Sequence, residues 1–163
     1  MTELPPHITA AADIGPHDHM QDFYFAGTVQ AGGRDMDMLA AIDGHGGDFV
    51  ARRIQKFIGH HFLEAYEESG ADISQAITGT VARLHNVTWY HEHGSTLTMA
   101  VLPADELKAY VSVLGDSPAL ITTASRVWSA PEHNVATNKR ERFAAEVRGA
   151  TYYQGYIRTD EAG

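Results

Sequence analysis

Three aspartates in this chain stand where a carboxylate could hold a divalent cation. Asp43 follows the apolar run Leu39-Ala40-Ala41-Ile42 and precedes Gly44-His45-Gly46-Gly47. A carboxylate there is fixed by the ordered segment before it and projects from that segment's end. The glycines let backbone carbonyls and amides approach an ion or a phosphate closely. Asp22 ends the polar stretch Pro16-His17-Asp18-His19-Met20-Gln21 and opens a second apolar run, and Asp116 sits in Gly115-Asp116-Ser117 after Val113-Leu114. Hard cations such as Mg²⁺ and Mn²⁺ take carboxylates, carbonyls and waters as ligands. Taken singly, each of these aspartates also reads as an ordinary turn former.

Histidine offers a second kind of chemistry, with ten in the chain. His60-His61 falls inside a helical pattern and His91-Glu92-His93 at the close of the next one. An HxH pair on a strand can chelate zinc. At a helix end it serves more simply to complement the terminal carbonyls and the helix dipole. Asp18 and His19 read as surface polar residues. Trp89, Tyr90, Tyr152, Tyr153 and Tyr156 read as packing residues. There is no cysteine, so disulfides, a thiol nucleophile and thiolate zinc sites are excluded.

Holding the acids apart from the core requires strand ends. Residues 8–14, 23–29 and 36–42 read as strands, with Ala31-Gly32-Gly33-Arg34-Asp35 turning the second into the third. Residues 49–67 place Val50, Ile54, Phe57, Ile58, Phe62 and Ala65 on one helical face, and Ser69-Gly70 stops the helix. Asp72 then caps a second helix, with Gln75 in a box-like position and Ile73, Ile77, Val81 and Leu84 facing inward. Further strands are predicted over 95–102, 107–114 and 119–123, and a third helix over 138–148, ended by Gly149. Strands, two long helices, then strands again predict an α+β layered sandwich, not a doubly wound parallel fold.

Composition narrows the function classes. The 163 residues suit one domain with a hydrophobic core, and 44% hydrophobic against 20% charged residues suits a soluble globular protein. A net charge of −9 speaks against nucleic acid as partner. No stretch reaches the roughly 18 apolar residues of a membrane helix. Met1-Thr2-Glu3-Leu4-Pro5-Pro6 lacks the basic and apolar regions of a signal peptide. No membrane partner and a cytoplasmic location are the expectation.

Taken in order, Gln21-Asp22, Asp43-Gly44-His45-Gly46-Gly47, Gly94-Ser95-Thr96 and Gly115-Asp116-Ser117 resemble successive sequence blocks of the metal-dependent (type 2C) protein serine/threonine phosphatases. Pro131-Glu132-His133-Asn134 is similar to that family's Asp-His segment. Glu141-Arg142 and Arg148-Gly149-Ala150 are similar to the helix and glycine turn that begin its flap. The resemblance runs from about residue 10 to the end of the chain. It implies a four-layer α-β-β-α sandwich, here incomplete at its C-terminal end, with residues 1–163 forming one phosphatase-like domain cut within the flap region.

The same resemblance implies two Mn²⁺ or Mg²⁺ ions and a third, weaker one. Asp43 bridges the main pair with the Gly44 carbonyl as a further ligand, Asp22 acts through water, and Asp116 belongs to the third site. A metal-bridged hydroxide attacks the phosphorus of phosphoserine or phosphothreonine in a protein substrate, and His45 protonates the leaving alkoxide. His17 stands where the family often has an arginine for the substrate phosphate. Being shorter and only partly charged, it implies a weaker grip.

The family also uses aspartates in later Asp-Gly and Asp-Asn blocks. After Asp116 the acids here are Glu132, Glu141, Glu146, Asp160 and Glu161, none in such a block. The expectation is an enzyme impaired or inactive as this isolated chain; the alternative is a catalytically deficient binding or regulatory module. An incomplete sheet also predicts self-association.

Overall fold

The computed structural model describes residues 4, 6–16, 18–131, 133–153 and 156–159. Strand β1 (Asp22–Ala31) turns at Gly32-Gly33 into β2 (Arg34–His45). Both glycines have positive φ, 59° and 76°, the backbone that a two-residue hairpin turn demands, and Ala31 faces Arg34 across it. Helices α1 (Phe49–Glu68) and α2 (Ile73–Asn86) follow, then the short β3 (Gly94–Ser95), β4 (Leu97–Pro103) and β5 (Tyr110–Leu114). These strands form one antiparallel sheet in the order β1-β2-β4-β5, with β3 also on β2.

Both helices cover one face of that sheet. Met36, Met38 and Ile42 of β2 and Leu97, Met99 and Val101 of β4 alternate inward and meet Ile54, Ile58 and Phe62 of α1 and Ile73, Ala76, Ile77 and Leu84 of α2 in a single buried cluster. Gly70, at φ 67°, closes α1: its N–H bonds to the Glu67 carbonyl and that of Ala71 to the Tyr66 carbonyl, which satisfies the last turn. Asp72 caps α2 by accepting from the Gln75 N–H at 3.0 Å. Gln75 returns to the Asp72 carboxylate rather than to its backbone, because Ser69 Oγ already accepts from the Asp72 N–H.

The opposite sheet face has no helix among the described residues. Tyr24, Ala26, Leu39, Ala41, Ala100 and Val111 line a shallow concavity of about 390 Å³ there, bordered by residues 9–11 and 119–121. Beyond it come the hairpin of β6 (Leu120–Thr122) and β7 (Val127–Ser129), then α3 (Lys139–Val147), then the hairpin of β8 (Ala150–Tyr153) and β9 (Tyr156–Thr159). Asn138 caps α3 by accepting from the Arg140 and Glu141 N–H groups, but the helix buries no residue.

Several expectations need correction. Residues 8–14 form no strand: Ile8 is buried and Thr9 to Ala11 border the concavity without joining the ladder. The strand expected over 107–114 begins only at Tyr110, since Leu107 is fully exposed. Helix α2 ends at Asn86, where the N–H groups of Val87, Thr88 and Trp89 take its last carbonyls, so His91-Glu92-His93 lies beyond the helix instead of closing it. Trp89 and Tyr90, expected to pack, are 67% and 57% exposed and meet edge to face. The α+β class expected from the sequence stands, with two long helices on one face of an antiparallel sheet.

Candidate metal centre at the strand ends

Register decides where the acids fall. In the β1–β2 ladder Asp22 is the direct partner of Asp43, and the Gly44 N–H extends the pairing to the Gln21 carbonyl at 3.1 Å. On its other side β2 pairs β3 and β4 in one continuous register, so Asp43 faces Thr96: the Thr96 N–H donates to the Asp43 carbonyl at 2.8 Å, and the Asp43 N–H donates to Thr96 Oγ1 at 3.3 Å. Ser95 Oγ adds a second bond to the Asp43 carbonyl at 3.0 Å. Past the end of β5, Gly115 packs on Thr96; a Cβ there would stand 2.8 Å from Thr96 Cγ2, and φ is +94°. Asp116 therefore lies beyond Thr96, near enough for its charge to act on Asp43.

The two-residue period puts Asp43 and His45 on the exposed face and turns Ile42 and Gly44 towards α1. Gly44 has no room for a side chain: a Cβ would stand 2.8 Å from the Gln21 carbonyl oxygen and 3.0 Å from Ala51 Cβ. Two histidine rings close the turn. His45 lies against Gly94, where a Cβ would meet Nε2 at 2.2 Å, and His93 lies against Gly47 with its Nδ1 buried and unpartnered.

The electrostatics are those of crowded acids. Partial burial pushes the Asp43 carboxyl above the usual range, Asp22 adds to this by its charge and by sharing a hydrogen bond, and the Asp116 charge adds further; His45 opposes them. Asp116 Oδ2 accepts from Asn134 Nδ2 at 2.6 Å. Among the described residues no base pairs with Asp22, Asp43 or Asp116 within 4.0 Å, although Asp37 of β2 and Asp105 and Glu106 between β4 and β5 have such partners. Acids close enough for Asp22 and Asp116 to raise the proton affinity of Asp43 form a donor set suited to a hard divalent ion. Their ligand atoms do not all lie within 4.8 Å of one another; the described group that meets that condition is His60, His61 and Glu64 on α1. A spread carboxylate set suits Mg²⁺, which keeps several of its waters.

His17 lies outside the described residues, as does Glu132. Thr96 and Asn134 stand inside the motifs with no chemistry of their own in the sequence, and the structure makes them hydrogen-bond partners of the Asp43 backbone and the Asp116 carboxylate. The sequence signal for Thr96 was its place at the head of an apolar run. Asn134 carried none beyond adjacency to His133.

No family model matches the chain. It is 26% identical over 141 residues to "Probable protein phosphatase 2C member 13, mitochondrial" of Oryza sativa subsp. japonica, a match covering 83% of this chain and 38% of that protein. It is likewise 26% identical over 141 residues to "Probable protein phosphatase 2C 17" of Arabidopsis thaliana, covering 83% of this chain and 50% of the relative. The fold matches the serine-threonine phosphatase 2C from Toxoplasma gondii with a TM-score of 0.65 at 17% identity, covering 88% of this chain and 55% of that one. A C. elegans sex determining protein matches with a TM-score of 0.70 at 21% identity, over 88% of this chain and 39% of that one. The chain is related to the type 2C protein phosphatases. It spans half or less of the length of the curated type 2C relatives it matches. The strand-end acids and the glycine turn lie within this type 2C fold, on the sheet that carries both long helices.

Proposed function

We propose that this chain carries part of the metal centre of a protein serine/threonine phosphatase, acting on phosphoserine and phosphothreonine. The observation that carries the reading is the direct pairing of Asp22 with Asp43 across β1 and β2, without a cationic partner among the described residues and within reach of the Asp116 charge. Asp43 and the Gly44 carbonyl hold the principal Mn²⁺ or Mg²⁺ ions, Asp22 contributes through water, and Asp116, steadied by Asn134, serves a third. Bound there, the ions lower the pKa of a water and neutralise charge on the phosphoryl group. His45, on the same face as Asp43, supplies the proton for the leaving alkoxide, and His17 provides a modest grip on the phosphate. The lack of cysteine agrees with a cytoplasmic location.

One observation favours a second reading, a phosphatase-like binding module without turnover: the ligand atoms of the acids are more widely spread than those of a closed site. Hydrolysis of a phosphothreonine peptide, with and without Mn²⁺ and with Asp43→Asn as control, separates the two. Metal-dependent turnover lost in the variant supports the enzyme. Absence of turnover in a folded chain that binds Mn²⁺ supports the module.

The apolar sheet face that carries no helix among the described residues supports a further part of the proposal, self-association with a second copy. Light scattering at tens of micromolar is expected to give at least a dimer mass; a monomer there contradicts it.

A further inference from the structure

Outside the strand-end acids, His60, His61 and Glu64 bring their donor atoms within 4.8 Å of one another. Helix register builds this group. Residues three and four apart share a face, so Glu64 reaches both histidines: His60 Nε2 lies 3.3 Å from one carboxylate oxygen and His61 Nδ1 lies 3.2 Å from the other. A tetrahedral cation with bonds of about 2.0–2.2 Å to nitrogen and oxygen sets its ligand atoms roughly 3.4 Å apart. The two nitrogen–oxygen separations, each to a different Glu64 oxygen, lie near that edge and suit a carboxylate that meets the ion through both oxygens.

The side chains are also arranged for an ion to reach them. The His61 side chain is 16% exposed and stacks on Phe57 at 6.0 Å, which holds one ligand in place, while His60 stands 65% exposed at the solvent side. Arg83 of α2 approaches Glu64 only to 3.9 Å and makes its closer pair, 2.5 Å, with Glu68. Glu68 therefore keeps the guanidinium when Glu64 turns to a cation.

We propose that His60 Nε2, His61 Nδ1 and Glu64 form a surface site for a borderline transition cation, Zn²⁺, with water completing its shell. Two imidazoles among three ligands select zinc over Mg²⁺, which prefers oxygen. The site joins two turns of α1, the helix that packs on both the sheet and α2, and an ion there stiffens its C-terminal half. It uses none of the residues assigned to phosphoester chemistry.

The test is a calorimetric titration of the full chain with ZnCl₂ in excess Mg²⁺, using wild type, His60→Ala, Glu64→Gln and Asp43→Asn. The altered α1 side chains are exposed or half-buried, so far-UV circular dichroism is expected to be unchanged. Losing a direct ligand is expected to weaken zinc binding by at least about tenfold, since even outer-shell losses cost roughly 10–100-fold. His60→Ala and Glu64→Gln are expected to show that loss and Asp43→Asn to retain wild-type affinity. With Co²⁺ in place of Zn²⁺, the visible bands of a four-coordinate ion are expected in wild type and absent in His60→Ala. Equal zinc affinity in wild type, His60→Ala and Glu64→Gln, or a loss confined to Asp43→Asn, overturns the proposal.

Discussion

At the turn end of the β1–β2 ladder, Asp37 accepts a hydrogen bond from Thr28 Oγ1 at 2.7 Å and pairs with His7 at 2.6 Å, and Arg34 holds Asp105 and Glu106. At the open end of the same two strands, Asp22 and Asp43 face each other with no base to meet them among the described residues. The carboxyls respond in opposite directions. The Thr28 hydroxyl, followed by His7, holds Asp37 below the usual range, and the Arg34 guanidinium, followed by Tyr110, does the same for Glu106. Burial, Asp22 and Asp116 push Asp43 above it. Acids at one end are committed to the fold, and acids at the other are left for something that arrives later. Charge satisfaction, more than residue type, separates the two roles.

Glycine substitution at each end sharpens the contrast most strongly. Gly44→Ala drives a Cβ to 2.8 Å from the Gln21 carbonyl oxygen and 3.0 Å from Ala51 Cβ. It is expected to destabilise by about 2–3 kcal/mol, as overpacking does, and to weaken Mn²⁺ binding along with the fold. Gly33→Ala meets nothing within 4 Å but keeps a φ of +76°. It is expected to cost only about 1 kcal/mol, the left-handed penalty, with Mn²⁺ affinity unchanged. Urea unfolding and a Mn²⁺ titration of both proteins check this. A larger loss for Gly33→Ala contradicts the difference in packing.

A smaller effect comes from pH. A depressed carboxyl stabilises above its unfolded value, and that contribution is lost as pH falls through the folded value, so Asp37 and Glu106 weaken the fold below about pH 4. Asp43 has the opposite sign: its contribution is present below the ordinary aspartate value and lost as pH rises through the raised one. In chelator, Asp43→Asn is therefore expected to melt higher than wild type at pH 7, with the gap closing towards pH 4. A lower melting temperature for the variant at pH 7 removes the claim that Asp43 is electrostatically strained.

Much of this was legible where a local rule sufficed. The inward residues of α1 follow the helical period, Asp72 declares its cap, and the Gly32-Gly33 turn fixes the hairpin register that sets Asp22 against Asp43. The third helix followed from Asn138. What failed depended on partners distant in sequence. Residues 8–14 carry a strand-like pattern, but no strand of the described sheet takes them up. Strand β6 falls within the predicted 119–123, whereas β7 and β8 bury too little to mark a periodicity. The apposition of His45 on Gly94 and His93 on Gly47 arises only when β3 docks on β2. The His60–Glu64 spacing was present in the sequence, yet only side-chain positions show that both histidines share one carboxylate.

The central claim is that the open end of the β1–β2 ladder is a divalent-cation site organised by Asp43. It is tested most directly by calorimetric titration of Mn²⁺ into the wild-type chain and into Asp43→Asn. The account predicts saturable binding by wild type and its loss in the variant, with both proteins folded. Equal Mn²⁺ affinity in the two would remove Asp43 from the site and contradict the account.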